Sequence, residues 1–160
     1  MQLVVFTDGG SRGNPGNAAI GGVVYLQDQN SVNDTQPEVL HDFSKYIGIA
    51  TNNEAEYQAL KTALELVFNE YFAQESLKSA KSIASEKNVT TIRCLLDSKL
   101  VVEQMKKNWK IKEPRMQQLA KECETIVKKI GVPVLFEHIP REKNKVADLL
   151  VNQALDAHSA

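Results

Sequence analysis

The sequence predicts an α/β fold built on one five-stranded mixed sheet that is flanked by helices. Three apolar runs follow one another in residues 2–49 with short polar connections, which is typical of three antiparallel strands. Two later apolar runs each follow a stretch of helical periodicity. We therefore expect these two strands to lie parallel to the first, joined by right-handed crossovers, in the element order βββ-α-β-α-α-β-α.

The three antiparallel strands are predicted at residues 2–7, 18–26 and 39–49. The first is apolar on both faces, as a strand covered on both sides is. The second contains glycines, which permit a bulge or a close approach of the backbone. The polar stretch 27–38 is rich in turn-forming residues, so we expect a hairpin loop there.

The remaining elements begin with a helix from about 53 to 72, because Thr and Asn cap helices well and "TNN" precedes it. Pro114 suits the first turn of a later helix. The other predicted elements are a fourth strand at 89–96, a short helix at 98–108, a helix at 114–130, a fifth strand at 132–139 and a last helix at 144–157.

Length and composition indicate a single globular domain, residues 1–160, with a helical insertion at about 73–88. The hydrophobic fraction of 42% and the charged fraction of 24% are ordinary for such a domain. No run of 18 apolar residues exists, so we expect no membrane span. The net charge of -1 argues against a polycation that coats nucleic acid, although it leaves room for a local basic face.

The cysteine pattern favours an intracellular, cytoplasmic protein. Cys94 and Cys123 lie in apolar or helical contexts without a CxxC pair or a His/Cys cluster, so we expect reduced thiols. The first residues begin a strand and do not resemble a signal peptide. We expect a monomer with no obligatory protein partner.

Two acids follow strands that are predicted to be adjacent and parallel, Asp8 and Asp97. Ligands in open α/β sheets bind beyond the carboxyl ends of such strands. Two nearby carboxylates repel each other unless a proton or a metal lies between them, and hard divalent cations prefer oxygen ligands. Either acid alone is explained simply as the end of a strand, whereas the pair favours a metal site.

Helical periodicity separates two candidates for a third acid. Glu56 shares a stripe with Leu60 and Leu64, which must face the sheet, whereas Glu54 lies on the solvated face. A buried carboxylate is costly without a partner, so Glu56 is the predicted ligand and Glu54 a surface charge near the helix start. Asp148 falls near the first turn of the last helix, where an acid also suits the helix dipole.

Four separated motifs resemble, in order and chain position, those of type 1 ribonucleases H: "FTDGGSRGNPG", "TNNEAEYQAL", "LLDSKLVV" and "HIPREKNKVAD". The resemblance covers nearly the whole chain and implies the ribonuclease H-like fold. It also implies an endonuclease that cuts the RNA strand of RNA/DNA hybrids and leaves 5′-phosphate and 3′-hydroxyl ends. The implied cofactor is Mg²⁺, with Mn²⁺ as the alternative.

The resemblance implies that Asp8, Glu56, Asp97 and Asp148 are the catalytic carboxylates and hold two metal ions. Asp8 would touch both ions, Glu56 and Asp97 would share one, and Asp148 would hold the other. One ion would activate a water and the other would stabilise the leaving 3′-oxygen. The glycines of the first motif would keep Asp8 open to the minor groove. The implied hybrid contacts are Ser11, Gly13, Asn14, Thr51, Asn52, Asn53 and Lys99.

The chain departs from many members of the family in two places. Many place a His in a long loop before the final Asp, but here the loop is only "PREKN". Arg141 is the candidate for that position, as in short-loop relatives, and His138 is expected to be a strand residue beside the site. The large basic helix is missing. The segment "KKNWKIKEPR" would either contact the hybrid weakly through its lysines or form a solvated linker with Trp109 on the core.

Three other functions fit parts of the sequence. The same fold could act on double-stranded RNA or on a DNA strand, or it could bind hybrids without cutting them. The four acids argue against a protein that binds hybrids without cutting them, because negative charges that face phosphates do not add to its binding affinity. A phosphate-binding P-loop fits poorly, because "GGSRGNPG" lacks the GK[ST] ending and no long helix follows it.

Overall fold

The computed structural model describes residues 1–29, 37–73 and 83–159. One sheet contains the strands β1 (Gln2–Arg12), β2 (Gly16–Gln27), β3 (Glu38–Ala50), β4 (Thr91–Leu96) and β5 (Val134–His138). The strand order is β3-β2-β1-β4-β5, with β1, β2 and β3 antiparallel and with β4 and β5 parallel to β1. The predicted fold class, the strand directions and the adjacency of β1 and β4 are confirmed.

Five α-helices accompany the sheet in the described ranges: α1 (Asn52–Val67), α2 (Ile83–Glu86), α3 (Lys99–Met105), α4 (Pro114–Ile130) and α5 (Lys145–Ser159). The main core lies between one face of the sheet and α1, α3 and α4. Helix α5 covers part of the opposite face, where Val151 and Leu155 pack against Ala19 of β2. The hydroxyl of Tyr57 donates to Oε1 of Gln104 at 2.6 Å and joins α1 to α3 inside the core.

Strand β1 is longer than the sequence predicts. It continues past Asp8 to Arg12, and Asp8 lies opposite Gly21 of β2. The pairing with β4, in contrast, stops where Thr7 meets Leu96. The prediction that the first strand ends at Asp8 is therefore wrong. From Asp8 to Arg12, β1 stays extended and remains paired with β2, and it loses only its pairing with β4.

The tight turn comes later, at Gly13–Gly16. Gly13 has φ +90°, which favours glycine, and the Asn14–Pro15 peptide bond is cis. A Cβ on Gly16 would lie 2.1 Å from the carbonyl oxygen of Arg12, so the returning strand also requires glycine. Only the "GNPG" half of the first motif is a turn.

Two other glycines let helices contact the backbone of the sheet. A Cβ on Gly9 would lie 2.2 Å from the carbonyl oxygen of Ala55 in α1. A Cβ on Gly21 would lie 2.7 Å from the carbonyl oxygen of Ala147 in α5. Helix packing alone therefore requires glycine at position 9, and the expectation that the glycines of this motif keep Asp8 open to a ligand stays a prediction. Both contacts flank Asp8, the neighbour of Gly9 and the cross-strand partner of Gly21.

The expected insertion at 73–88 is only partly visible, because residues 74–82 lie outside the described residues. Helix α1 continues as one π-helical turn, Phe68–Phe72, and α2 is a single turn. The single-domain organisation and the insertion stay predictions. Cys94 and Cys123 are buried and free. Within the described ranges, no helix combines the length and the apolar character that crossing a membrane requires.

The contact at Gly9 predicts a large difference between two neighbouring glycines. Gly9→Ala should lower the free energy of unfolding by about 3 kcal/mol, because its Cβ meets backbone that cannot rotate away. Gly10→Ala is the matched control, since its Cβ would meet only Cγ1 of Val151, at 3.8 Å. Urea unfolding of both variants measures the difference. Equal stabilities would contradict this account of α1 packing.

Candidate active site

Three carboxylates from separate elements meet at the end of the pairing between β1 and β4. One oxygen each of Asp8, Glu56 and Asp97 lies within 4.8 Å of the others. Asp8 and Glu56 are buried, at 7% and 9% exposure, and Asp97 is partly exposed. They line a cleft of about 500 Å³ together with Asp148 of α5. The structure thus brings all four predicted acids into one cleft.

The start of α1 determines which of its acids enters the cleft. The hydroxyl of Thr51 accepts from the backbone N–H of Glu54 at 3.1 Å and donates to its carboxylate at 3.3 Å. This reciprocal cap holds Glu54 at the helix start. Glu56, two residues later, points to the sheet and lies beside Asp8. The assignment of Glu54 to the helix end and of Glu56 to the cleft agrees with the periodicity of the sequence.

Asn144 holds the start of α5 at the cleft. Its side chain is 1% exposed, and its Nδ2 donates to the carbonyl oxygen of Thr7 at 2.8 Å. Its own carbonyl oxygen accepts from the N–H of Asp148 at 3.1 Å. Asn144 therefore connects the strand beside Asp8 to the helix that carries Asp148. The sequence patterns did not single it out, although an Asn directly before a helix is a recognisable capping signal.

The acids carry strongly perturbed pKa values. Burial raises the pKa of Asp8 to about 7; a hydrogen bond with Glu56 opposes the shift, and the charges of Asp97 and Asp148 add to it. Burial and the charge of Asp8 raise the pKa of Glu56 well above its usual value. Burial also raises the pKa of Asp97, against the hydrogen bond from Asn144 and the charge of Arg141. The cluster therefore retains a proton near neutral pH when no cation is present.

The donor set fits a hard divalent cation. All its ligand atoms are carboxylate oxygens, which such cations prefer. Oε2 of Glu56 is buried and has no hydrogen-bond partner within the described ranges. A buried acceptor without a partner costs free energy of folding, and a cation at this position would remove that cost.

The turn after β1 is attached to the start of α1. The backbone N–H and the hydroxyl of Ser11 donate to Oδ1 of Asn52 at 2.9 and 3.1 Å. The N–H of Asn52 donates to Oδ1 of Asn14 at 3.0 Å. These residues form one connected surface beside the cleft, next to Gly13. Asn53 is exposed in the first turn of α1.

Three further predicted residues differ in their relation to the cleft. Nη2 of Arg141 lies 3.9 Å from Oδ1 of Asp148, and this arginine side chain is 81% exposed. His138 is the exposed last residue of β5 and does not line the cleft. Lys99 also lies apart from the cleft, at the start of α3, with Nζ 6.0 Å from the ring centre of Trp109. Trp109 is 44% exposed, so it is not a core residue.

The raised pKa values predict that stability of the metal-free protein falls as pH rises. The folded state binds more protons than the unfolded state above about pH 4, so this stabilisation is complete below that value. It is lost as pH rises through the folded-state pKa of Asp8, about 7. Glu56→Gln should therefore flatten the fall in unfolding free energy between about pH 5 and 8.

Urea unfolding at several pH values in EDTA measures this slope. Glu122→Gln is the matched control, because a hydrogen bond from Lys61 lowers the pKa of Glu122 and leaves no titration above about pH 5. A wild-type protein whose stability does not change across this range would contradict the proposed protonation of the cluster.

Comparisons with known proteins agree with this geometry. The family model described as "Reverse transcriptase-like" matches residues 74–154. LC11-RNase H1, isolated from compost by a metagenomic approach, is 36% identical in sequence. Its structure superposes with a TM-score of 0.78 and covers 99% of each chain. A ribonuclease HI of Halobacterium salinarum is 33% identical over 97% of this chain and 65% of its own length.

The bifunctional protein Rv2228c of Mycobacterium tuberculosis is 38% identical over 98% of this chain. The chain spans only 36% of that protein's length. The matching part has a solved structure, described as its N-terminal RNase H domain, with a TM-score of 0.74 and 35% identity. Sequence, fold and the cleft with its four acids therefore agree, and the chain belongs to the type 1 ribonuclease H family.

Proposed function

We propose that this protein is an endonuclease that hydrolyses the RNA strand of RNA/DNA hybrids and leaves 5′-phosphate and 3′-hydroxyl ends. The observation that carries the proposal is the convergence of Asp8, Glu56 and Asp97 within 4.8 Å in an open cleft that also contains Asp148. The choice of substrate is supported by LC11-RNase H1, whose solved structures include a complex with an RNA/DNA hybrid, at 36% identity and a TM-score of 0.78.

Mg²⁺ is the proposed cofactor, with Mn²⁺ as the alternative. Asp8, Glu56, Asp97 and Asp148 would hold it. When bound, divalent cations at such a site lower the pKa of a water and stabilise the oxygen that leaves phosphorus. Asp8 and Glu56 give up their retained proton to bind a cation, so their affinity for it should increase with pH.

The remaining residues of the cleft hold and orient the substrate in this proposal. Arg141 would offset the charge of Asp148 and assist release of the cut strand, since its guanidinium is beside that acid and largely exposed. The surface of Ser11, Gly13, Asn14 and Asn52 offers backbone and amide groups. Such groups suit recognition of 2′-hydroxyls and backbone shape, with little reading of base sequence.

Asp97→Asn should fold normally and lose more than about 100-fold in cleavage rate, because it removes a charged metal ligand. Mutation of residues that merely hydrogen-bond such ligands already lowers activity by about 10–100-fold. The assay uses labelled RNA/DNA hybrid, double-stranded RNA and double-stranded DNA, each with Mg²⁺, Mn²⁺ or EDTA. Asp42→Asn is the matched control, since Asp42 is exposed on β3 and does not line the cleft. Full activity of Asp97→Asn would contradict the proposal. Faster cleavage of double-stranded RNA than of hybrid by the wild-type protein would replace the hybrid with double-stranded RNA as the proposed substrate.

Metal binding should also appear as stability, without any substrate. Mg²⁺ or Mn²⁺ at about ten times its Kd should stabilise the wild-type protein by about 1.4 kcal/mol and raise its Tm. Glu56→Gln should show a smaller gain, because it removes one charged ligand from the cluster. Thermal unfolding with and without metal measures both. An equal gain in the two proteins would show that the cation binds elsewhere.

A further inference from the structure

One arginine at the edge of the cleft is not explained by the carboxylate chemistry. Arg12 is the last residue of β1 and lines the same cleft as the four acids. Its side chain is 47% exposed. It lies at the β1–β2 end of the cleft, whereas Arg141 lies beside Asp148 at the start of α5. The two arginines therefore flank the acids from different elements.

Helix α5 holds this arginine in place. Nη2 of Arg12 donates to Oδ1 of Asp156 at 2.6 Å and approaches Oδ1 of Asn152 at 3.4 Å. Nδ2 of Asn152 donates to the carbonyl oxygen of Asp148 at 3.0 Å. Residues 148, 152 and 156 are four apart, so they lie on one face of the helix. The helix that carries the fourth acid thus also positions the guanidinium.

The pairing leaves much of the guanidinium available. Within the described ranges, the side-chain hydrogen bonds of Arg12 all use Nη2, so Nε and Nη1 keep their donors for a ligand. A guanidinium is a planar fork that matches two oxygens of one phosphate. An exposed ion pair such as Arg12–Asp156 contributes little to folding stability. Support of the fold is therefore a weak explanation for this arrangement.

The charge of the cleft gives this arginine a role. Four carboxylates repel the phosphates of any nucleic acid that enters, and cations beside them offset this repulsion. Asp156 is eight residues beyond Asp148, about 12 Å along the helix axis. Arg12, held at Asn152 and Asp156, is thus attached one to two turns of α5 beyond Asp148, which suits a phosphate next to the one at the carboxylates.

We propose that Arg12 is a substrate-positioning residue that binds a backbone phosphate of the hybrid next to the one at the carboxylates, while Asp156 and Asn152 orient its guanidinium. This inference rests on the proposed function for the identity of the substrate. Arg12 belongs neither to the four carboxylates nor to the surface formed by Ser11, Gly13, Asn14 and Asn52, so its phosphate contact is additional to theirs. A contact of this kind adds affinity and holds the strand in register without reading bases.

The test compares hybrid binding and cleavage as salt is varied between about 50 and 200 mM. Binding of a labelled RNA/DNA hybrid is followed by fluorescence anisotropy in EDTA, and KM and kcat are measured with Mg²⁺. Arg12→Gln should weaken binding roughly tenfold at the lowest salt and reduce the slope of log affinity against log salt by about 0.9. KM should rise more than kcat falls.

Two further variants separate this role from simpler ones. Lys128→Ala makes the same change in net charge on α4, in the layer of helices opposite α5, and should keep the wild-type slope. Asp156→Asn breaks the ion pair but keeps the charge of Arg12. It should therefore keep the salt slope, and it should weaken binding by less than Arg12→Gln does, because only the orientation of the guanidinium is lost. If Asp156→Asn reduces the salt slope as much as Arg12→Gln does, the change in slope does not come from a phosphate contact of Arg12 and the inference is wrong.

The outcomes distinguish this inference from the proposed function. Cleavage by the wild-type protein together with an unchanged salt slope in Arg12→Gln would overturn the inference alone. Hybrid binding without cleavage by the wild-type protein would overturn the proposed function alone, and the slope would still decide the role of Arg12. Absence of hybrid binding by the wild-type protein would overturn both.

Discussion

Close contact between two helices and the backbone of β1 and β2 is the constraint on which the site depends. At Gly9 the carbonyl of Ala55 occupies the space of a Cβ, and at Gly21 the carbonyl of Ala147 does the same. These contacts bring α1 and α5 against the sheet on either side of Asp8. Glu56 and Asp148 reach the cleft because their helices pack this closely. The glycines near Asp8 thus shape the cleft through packing, before any ligand is present.

The same packing forces acids together at a cost to the folded protein. Burial and mutual repulsion raise the pKa values of Asp8 and Glu56, so the metal-free cluster keeps a proton at neutral pH. Ionising both carboxylates in this buried site would destabilise the fold. Asp8, Glu56 and Asp97 would hold a divalent cation, which would supply the missing positive charge and give the unpartnered oxygen of Glu56 a partner. In this account, clustering the carboxylates lowers the stability of the metal-free protein, and binding a cation recovers that stability, which is the origin of the metal affinity. Asn144 and the cap at Thr51 hold the two helices against this repulsion.

The strand directions and the adjacency of β1 and β4 could be predicted from the sequence because apolar runs and helical stretches alternate in a way that few topologies satisfy. Glu56 could be preferred over Glu54 because only one of them shares a face with Leu60. The extension of β1 past Asp8 could not be predicted, since glycines carry no hydrophobic pattern and resemble a turn. Asn144 and Arg12 depend on partners more than 130 residues away, Thr7 and Asp156, and no local pattern reports such contacts.

The central claim is that the carboxylate cluster cuts RNA within a hybrid by means of bound metal. The most direct test uses a duplex in which one strand is DNA with a short internal run of ribonucleotides and the other is DNA. The account predicts cuts only within the ribonucleotide run, abolished by EDTA, with a 5′-phosphate on the downstream product. Cutting in the DNA segments, or cutting that persists in EDTA, would contradict it.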